Sequence, residues 1–255
     1  MAPAPTYGEL KNEFSKTFAH LAPYRHRYEV FTDFVTMIAI TLNNSLFMNQ
    51  KREDEYLEII RRYQKKDQHT FPKLLGLLVD MLTFEPRDVL GELFMDLELG
   101  NKNSGQFFTP QAVSELMAKI NLGPQLANLD KEFITISEPA CGAGGMILAV
   151  VKECIACGHD PAQRLWVQAI DVDRKVALMC FSQLTLWHVP AQVIVGNTLT
   201  LEVREVWYTP AHHLGFWENK LRRDAKSHEG VTQPPSPTPI DADISLDPEQ
   251  LGFDF

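Results

Sequence analysis

Apolar positions recur at three- and four-residue intervals through the first hundred residues of the chain. This spacing places apolar side chains on one face of a helix, so it predicts amphipathic helices. The clearest members of the pattern are Phe31, Phe34, Val35, Ile38, Leu42 and Leu46, then Tyr56, Ile59, Ile60 and Tyr63, and then the apolar run 74–82. A further helix is expected after Pro86, which suits a first helical turn. The sequence therefore predicts a helical N-terminal domain over residues 1–100.

A different pattern follows the polar, glycine-containing stretch 100–105. Short apolar runs at 133–137, 165–170 and 192–195 alternate with helical segments at 145–157 and 174–187. This β-α-β-α-β order is typical of a parallel sheet with helical crossovers. Few strand candidates follow Val195, so the sheet is expected to be short. We assign residues 101–226 to an α/β domain.

The last thirty residues lose this periodicity. Five prolines among Asp, Ser and Thr predict a Pro-rich acidic tail over residues 227–255, either disordered or lying on the rest of the protein. Six acids and one base between residues 226 and 255 account for −5 of the net charge of −9, which leaves −4 for the rest of the chain. A mildly acidic body can still carry a local basic face, so this balance neither supports nor excludes DNA as a partner.

Composition narrows the class of protein. In 255 residues, 45% are hydrophobic and 22% are charged, which is ordinary for a globular protein. No apolar run approaches the roughly 20 residues of a membrane span, and residues 1–5 lack the pattern of a secretion signal. The four cysteines are too sparse for a disulfide scaffold. We expect a cytoplasmic protein with no membrane partner.

The strongest single feature is a glycine-rich turn after the first predicted strand. The stretch 136–146 runs from an apolar strand through Glu138 and Pro139 into Gly142, Gly144 and a helix. Glycines let a backbone approach a ligand closely, and a helix start offers unpaired N–H donors. About half of such turns are mere chain reversals, so the turn alone is a weak signal. Because a carboxylate stands where a phosphate cradle would want Lys and Ser or Thr, the turn favours a cationic ligand.

Asp171 and Asp173 follow the second predicted strand. An acid at this position of the fold hydrogen-bonds ribose hydroxyls, and 27 residues separate it from Gly144. The alternative role for either acid is to cap the next helix. We assign Asp171 to a ribose and Asp173 to the cap.

Further motifs are similar to one family. The stretch 105–110, Gly-Gln-Phe-Phe-Thr-Pro, stands ahead of the turn 138–145, Glu-Pro-Ala-Cys-Gly-Ala-Gly-Gly. Together they resemble the modification subunits of type I restriction systems and related adenine-N6 DNA methyltransferases. The stretch 88–94, the helical N-terminal domain and the stretch 196–199 also resemble that family, although Asp is usual where Asn197 stands. The resemblance covers roughly residues 85–200.

That resemblance implies a Rossmann-like fold that binds S-adenosylmethionine, and it assigns the residues around the cofactor. Phe107, Phe108, Thr109 and Pro110 would close over its methionine and adenosine parts. Glu138, Cys141, Gly142 and Gly144 would line it, Asp171 would hold the ribose, and Asn197 would face the adenine. The alternative for Phe107 and Phe108 is plain core packing.

The family's catalytic motif is missing. Adenine-N6 methyltransferases carry Asn or Asp, two prolines and an aromatic residue after the fourth strand, which orient the amine and stack on a flipped base. Pro234-Pro235 is preceded by Gln233 and followed by Ser236, and its polar approach cannot be a buried strand. No catalytic residue is therefore assigned.

Three remaining features are weighed against packing. Aromatic residues between Trp207 and Trp217, followed by the bases Lys220, Arg222 and Arg223, could stack on nucleic acid, but packing on the sheet is favoured. Cys154, Cys157 and His159 have half of a zinc-site spacing, and we interpret them as helix-end packing. His212 and His213 are given no metal or base role, so no metal is expected.

The leading interpretation is an adenine-specific, S-adenosylmethionine-dependent DNA methyltransferase of the restriction-modification kind, with DNA as its partner. A second is a catalytically incomplete cofactor-binding subunit or regulator that needs a second subunit or another copy of itself. A third is an acidic interaction protein acting through its tail, whose terminal phenylalanines could dock on a partner.

Overall fold

The structure, a computed structural model, describes residues 4–97 and 108–229, with side chains as far as residue 226. The chain divides into two compact units, residues 1–218 and 219–255. The candidate functional site lies within the first unit. None of the helices in the described ranges is long and apolar enough to cross a membrane.

The N-terminal part is helical, as predicted. Its described helices are α1 (Tyr7–His20), α2 (Arg27–Asn44), α3 (Gln50–Arg61), α4 (Lys65–Gln68), α5 (Thr70–Leu82) and α6 (Val89–Asp96). Of the apolar stripe predicted here, Phe31, Phe34, Val35 and Ile38 are buried in α2, whereas Leu42 is half-buried and Leu46 lies beyond the end of the helix. Helix α1 begins in a capping box between Thr6 and Glu9, and its position was not predicted from the apolar pattern.

The start of α6 differs from the prediction. Pro86 lies before the helix, which begins at Val89, so its placement in the first helical turn is wrong. Asp88 caps the helix instead, accepting a hydrogen bond from the Gly91 amide at 2.7 Å. A cap carboxylate satisfies one of the N–H groups that a helix start leaves without a partner.

The α/β part contains a four-stranded sheet in the order β1-β2-β3-β4. Helix α7 (Gln111–Ala127) precedes β1 (Ile134–Glu138), α8 (Gly145–Ala156) and α9 (Pro161–Arg164) connect it to β2 (Leu165–Asp171), and α10 (Arg174–Leu186) connects β2 to β3 (Ala191–Asn197). Strands β1, β2 and β3 are parallel, which confirms the predicted β-α-β-α-β order and the Rossmann-like α/β class. After β4 (Glu202–Tyr208) come α11 (Pro210–Leu214) and α12 (Trp217–Glu229).

Strand β4 was not predicted. It pairs antiparallel with β3 through a tight hairpin, and the register shifts between Val195 and Gly196. A Cβ atom on Gly196 would lie 2.3 Å from the Glu202 carbonyl oxygen, so the hairpin needs glycine at this position.

A continuous apolar core joins the helices to the sheet. Phe31 and Phe34 of α2, Phe181 of α10, and Val193 of β3 are all buried members of it. Helix α10 contacts both α2 and β3. The boundary predicted at residue 100 lies outside the described residues, and α12 continues to Glu229, past the boundary predicted at residue 226. The predicted domain limits therefore stay predictions.

Candidate functional site

Three polar residues end the three parallel strands at the same edge of the sheet. Glu138 ends β1, Asp171 ends β2 and Asn197 ends β3. The parallel register places Glu138 opposite Ala169, and Asp171 opposite Val195. In open α/β sheets, ligands bind outside the carboxyl ends of the strands. The structure thus gathers the polar residues that the sequence placed after each strand.

The glycine-rich turn closes over this edge in a backbone form that requires glycine. Gly142 has φ of 55° and Gly144 has φ of 99°, values that other residues adopt only with strain. The Cys141 amide donates to the Ile170 carbonyl at 2.8 Å, and the Gly144 amide donates to the Cys141 carbonyl at 2.9 Å. A Cβ atom on Gly144 would lie 3.1 Å from Cys180 Sγ, so α10 approaches the turn closely. The turn is therefore fixed against β2 and α10.

Asp171 ties the turn to the end of β2. Its Oδ2 accepts from the Gly142 amide at 2.9 Å, and its Oδ1 accepts from the Asp173 amide at 2.9 Å. Each carboxylate oxygen has two acceptor positions, so each retains one. Asp173 caps α10 by accepting from the Lys175 amide, which confirms its assignment to the cap.

Glu138 lies beside a groove of about 320 Å³. Its Oε1 accepts from the Ala140 amide at 3.2 Å, and its side chain is half-buried. The groove is lined by β1, by Met146, Ile147 and Val150 of α8, and by Met117, Ala118, Asn121 and Leu122 of α7. A carboxylate thus stands where an apolar groove meets the polar edge of the sheet.

Asn197 turns its carbonyl oxygen toward its own hairpin. The Leu199 and Thr200 amides donate to Asn197 Oδ1 at 3.0 and 3.4 Å. The Thr198 hydroxyl donates to the Pro139 carbonyl at 2.7 Å, which fastens this hairpin to the turn after β1.

Two apolar side chains at this edge were missed by the sequence reasoning. Val172, directly after Asp171, is 60% exposed, and Leu199, two residues after Asn197, is 94% exposed. Exposure is a property of the folded chain, so the sequence alone does not show that these two side chains offer apolar surface near the ends of β2 and β3.

Of the four residues expected to close over the ligand, the structure describes Phe108, Thr109 and Pro110. Phe107 lies outside the described residues. Phe108 packs edge-to-face on Phe94, with 5.9 Å between ring centroids, and a Cβ atom on Gly142 would be 3.6 Å from its ring. Phe108 therefore contacts the core and also borders the turn. Thr109 and Pro110 are exposed just before α7.

Gln183 of α10 was also missed. It is fully buried, and its Nε2 donates to Asp88 Oδ1 at 2.9 Å and to the Ala143 carbonyl at 2.8 Å. Its Oε1 accepts from the Leu90 amide at 3.1 Å. One side chain thus joins the start of α6 to the glycine-rich turn.

The aromatic segment after β3 packs into the protein at both of its tryptophans. Trp207 and Trp217 are fully buried, which confirms the packing role for these two, whereas Phe216 is 72% exposed. His212 is buried against Tyr208, and burial lowers its pKa to about 4. The Trp166 indole donates to His212 Nδ1 at 3.1 Å.

The cysteines at the end of α8 are part of local packing. Cys154 is buried, and burial raises the pKa of its thiol to about 11. His159 Nε2 lies 2.7 Å from the Leu126 carbonyl oxygen. Within residues 4–97 and 108–229, no group of three His, Cys, Asp or Glu side chains is arranged to hold a metal ion.

Pro234-Pro235 lies outside the described residues. The described part of its approach is helical, since α12 runs to Glu229.

Comparison with known proteins gives a consistent family. A family model described as N-6 DNA methylase matches residues 88–235, more than half of the chain. The methylase subunit of the type I restriction enzyme EcoEI from Escherichia coli is 28% identical over 132 residues, covering 48% of this chain and 25% of that subunit. The methylase subunit of the type I restriction enzyme MpnII from Mycoplasma pneumoniae is 27% identical over 110 residues, covering 42% of this chain and 19% of that subunit. The chain thus spans a quarter or less of these relatives.

A solved structure is also similar. It is a Listeria monocytogenes protein provisionally described as a class I S-adenosylmethionine-dependent methyltransferase, with a TM-score of 0.42 and 13% identity, covering 72% of this chain and 52% of that one. A likeness of this size carries no functional conclusion.

Proposed function

The chain belongs to the N-6 DNA methylase family, and we propose from that premise that it binds S-adenosylmethionine at the carboxyl edge of β1, β2 and β3 for methyl transfer to adenine N6 in DNA. S-adenosylmethionine is the cofactor of this family. The observation that carries the proposal is the meeting of Glu138, Asp171 and the glycine-rich turn at one edge of the sheet.

The residues at this edge fit the parts of the cofactor. Asp171 keeps one acceptor position on each carboxylate oxygen, which suits the two hydroxyls of a ribose. Glu138 supplies a carboxylate for the ammonium group of the methionine part. The turn brings backbone close to the ligand at Gly142 and Gly144, where a side chain would be strained.

The adenine ring of the cofactor is assigned to the two exposed apolar residues. Val172 and Leu199 offer apolar surface beside Asp171 and Asn197, and covering that surface with a flat ring removes it from water. Asn197 contributes an amide at the ring's polar edge. Phe108, Thr109 and Pro110, together with Phe107, are proposed to border the methionine side.

The chemistry needs a positioned amine. When bound, the cofactor supplies an electrophilic methyl group on its sulfonium. Transfer of that methyl group to the N6 nitrogen of adenine would exchange the C–S bond for a C–N bond, with S-adenosylhomocysteine as the leaving product and the proton of the amine passing to water. The protein residues proposed here bind and orient the donor, and no residue is assigned to orient the adenine.

Calorimetry with S-adenosylmethionine tests the binding proposal. Asp171→Asn removes the charge that accepts ribose hydroxyls, and charge-assisted hydrogen bonds contribute about 1.5–3 kcal/mol each. We therefore expect the Kd to rise on the order of tenfold to several hundredfold. Asp173→Asn is the matched control, because Asn caps a helix as well as Asp and should leave the Kd unchanged. Absence of binding by the wild-type protein would overturn the proposal.

A second candidate function is a cofactor-binding subunit that needs another polypeptide for catalysis. Strand β1 lies at the end of the sheet order and pairs with β2 alone among the described strands. Beside it, α7 exposes Val113, Leu116, Met117 and Ile120, a stripe at helical spacing. An edge strand next to an exposed apolar helix face is suited to further strands from elsewhere.

Turnover separates the two candidates. Labelled methyl transfer from S-adenosylmethionine to adenine-containing duplex DNA is expected to be weak or absent with the purified chain, since an unpositioned amine loses several kcal/mol of catalysis. Binding without turnover would support the subunit. Robust turnover by the single chain would support the enzyme and give the segment Trp207–Trp217 a catalytic role.

The acidic tail remains a third prediction. Residues 230–255 lie outside the described residues. Truncation after Lys226 tests both of its proposed roles, because a docking tail changes partner capture and a draped tail changes melting temperature.

A further inference from the structure

Gln183 uses both ends of its amide within the protein. Two N–H groups reach Asp88 Oδ1 and the Ala143 carbonyl, at 2.9 and 2.8 Å, and the oxygen accepts from the Leu90 amide at 3.1 Å. The side chain is fully buried, so water cannot replace any of these partners. Both amide hydrogens and one oxygen lone pair are therefore committed to fixed positions.

The partners belong to segments far apart in the sequence. Asp88 and Leu90 start α6 in the helical part, and Ala143 lies inside the glycine-rich turn between Gly142 and Gly144. Leu90 lies in the first turn of α6, where an amide has no partner within the helix, so Gln183 supplies the missing acceptor. Gln183 thus completes the helix start and the turn simultaneously.

Helix α10 carries a second contact to the same turn. Cys180 Sγ would lie 3.1 Å from a Cβ atom on Gly144, so Cys180 packs against the glycine-rich turn. Cys180 lies about one helical turn before Gln183 in α10. Helix α10 itself starts at Arg174, directly after the Asp171 and Asp173 pair. The helix that follows the ribose-binding position therefore also determines where the turn backbone lies.

We infer that Gln183 is a positioning residue, which holds the glycine-rich turn in its ligand-binding form and couples that form to the start of α6. This inference rests on the proposed cofactor site for its functional consequence. In this role Gln183 acts through protein groups and does not itself contact the cofactor, since its three hydrogen-bond partners are Leu90, Asp88 and Ala143.

Two substitutions test the contacts of Gln183 with the start of α6 and with the turn. Gln183→Met matches the length of the side chain and removes all three hydrogen bonds. Gln183→Glu keeps an oxygen for the Leu90 amide but removes both donors and, at pH 8, sets a second carboxylate against Asp88. Gln192→Met is the matched control, because Gln192 makes two side-chain hydrogen bonds, to Gln168 and Tyr208, at the opposite end of β3.

Hydrogen exchange of the ligand-free protein gives the first readout, under conditions in which every variant is folded. Both Gln183→Met and Gln183→Glu are expected to raise exchange in peptides covering 88–91 and 141–145, because each removes the donors to Asp88 and to the Ala143 carbonyl. Gln192→Met should change neither. A general loss of stability would raise exchange across the sheet, so unchanged or uniformly raised exchange in the Gln183 variants would overturn the inference.

Calorimetry with S-adenosylmethionine gives the second readout. Gln183→Met is expected to raise the Kd tenfold or more, and Gln192→Met to leave it within twofold. Wild-type binding with an unchanged Kd in both Gln183 variants would overturn the functional part of the inference while the proposed function stands. If the wild type binds no S-adenosylmethionine, the proposed function and the functional part of the inference both fail, and the exchange data still decide whether Gln183 positions the turn.

Discussion

Asp88 is a buried acid in the same network as the glycine-rich turn. Its side chain is 7% exposed, and burial raises its pKa from 3.8 to about 6, against the lowering effect of the hydrogen bonds from Gln183 and the Gly91 amide. Glu92 adds to the rise by repulsion. A raised acid pKa means that the folded protein binds a proton more tightly than the unfolded chain does, so this group makes the protein less stable as the pH rises from about 4 to 6.

Asp88→Asn is expected to remove that dependence. Asn can still accept from the Gly91 amide and from Gln183 through one oxygen, but it does not ionise. The difference between 3.8 and about 6 corresponds to at most about 3 kcal/mol, from 1.36 kcal/mol per pKa unit. Urea unfolding at a series of pH values should show the free energy of unfolding of the variant rising relative to that of the wild type between pH 4 and 6. Above pH 7 the difference between the two free energies should be constant. A pH-independent difference would contradict the assignment of this titration to Asp88.

At the residue scale, the sequence predicted roles that depend on local position. Asp171 and Asp173 could be given different roles from the sequence, because one ends a strand and the other precedes a helix. The structure has Asp173 as the cap of α10. Gln183 could not be found this way, because its partners lie 40 and more than 90 positions away in the sequence. The exposure of the Val172 side chain could not be predicted either, since exposure is a property of the folded chain.

At the scale of elements, the turn between β1 and α8 depends on one conformation at Gly144. Gly144→Ala would add a Cβ atom at φ of 99° and 3.1 Å from Cys180 Sγ. Left-handed backbone costs a non-glycine residue about 1–2 kcal/mol, before any steric contact. We expect a loss of about 1–3 kcal/mol in the free energy of unfolding and weaker S-adenosylmethionine binding.

Gly76→Ala is the control for that prediction. Gly76 lies inside α5, and nothing stands within 4 Å of an added Cβ atom. Alanine favours a helix interior over glycine by roughly 0.5–1 kcal/mol, so this variant should be more stable than the wild type with unchanged binding. A Gly144→Ala protein as stable as Gly76→Ala would show that the turn tolerates another conformation.

The elements that the sequence did not predict have identifiable causes. Strand β4 begins with exposed and charged residues, Glu202, Arg204 and Glu205 among them, so its apolar alternation is weak. Its place is decided by pairing with β3, which a local pattern does not contain. Helix α7 was also not predicted, and it carries Pro124 near its end, a residue that usually breaks a helix.

At the scale of the whole first unit, the helical part and the sheet share a core and polar contacts. Arg52 of α3 donates to the Val206 carbonyl of β4 at 2.8 Å, and its guanidinium lies 3.4 Å from the centre of the Trp207 ring. Arg174 of α10 forms hydrogen bonds of 2.9 and 3.0 Å to both oxygens of Glu55 in α3. The pattern along the chain predicted the change from helices to sheet near residue 100, but a pattern cannot show how much surface the two parts share.

We therefore expect residues 4–218 to unfold in one cooperative step. The four tryptophans, Trp166, Trp187, Trp207 and Trp217, all follow residue 100, so their fluorescence reports on the α/β part, whereas far-UV circular dichroism reports on the helices of both parts. The two urea transitions should coincide, which is the test of two-state behaviour. Arg52→Met should shift both transitions together by about 1–3 kcal/mol, because it leaves the half-buried Val206 carbonyl without its donor and removes the stacking on Trp207. The neighbouring exposed Lys51→Met should stay within about 0.5 kcal/mol of the wild type. Separate transitions, with Arg52→Met moving only one of them, would show that the helical part and the sheet fold as independent domains.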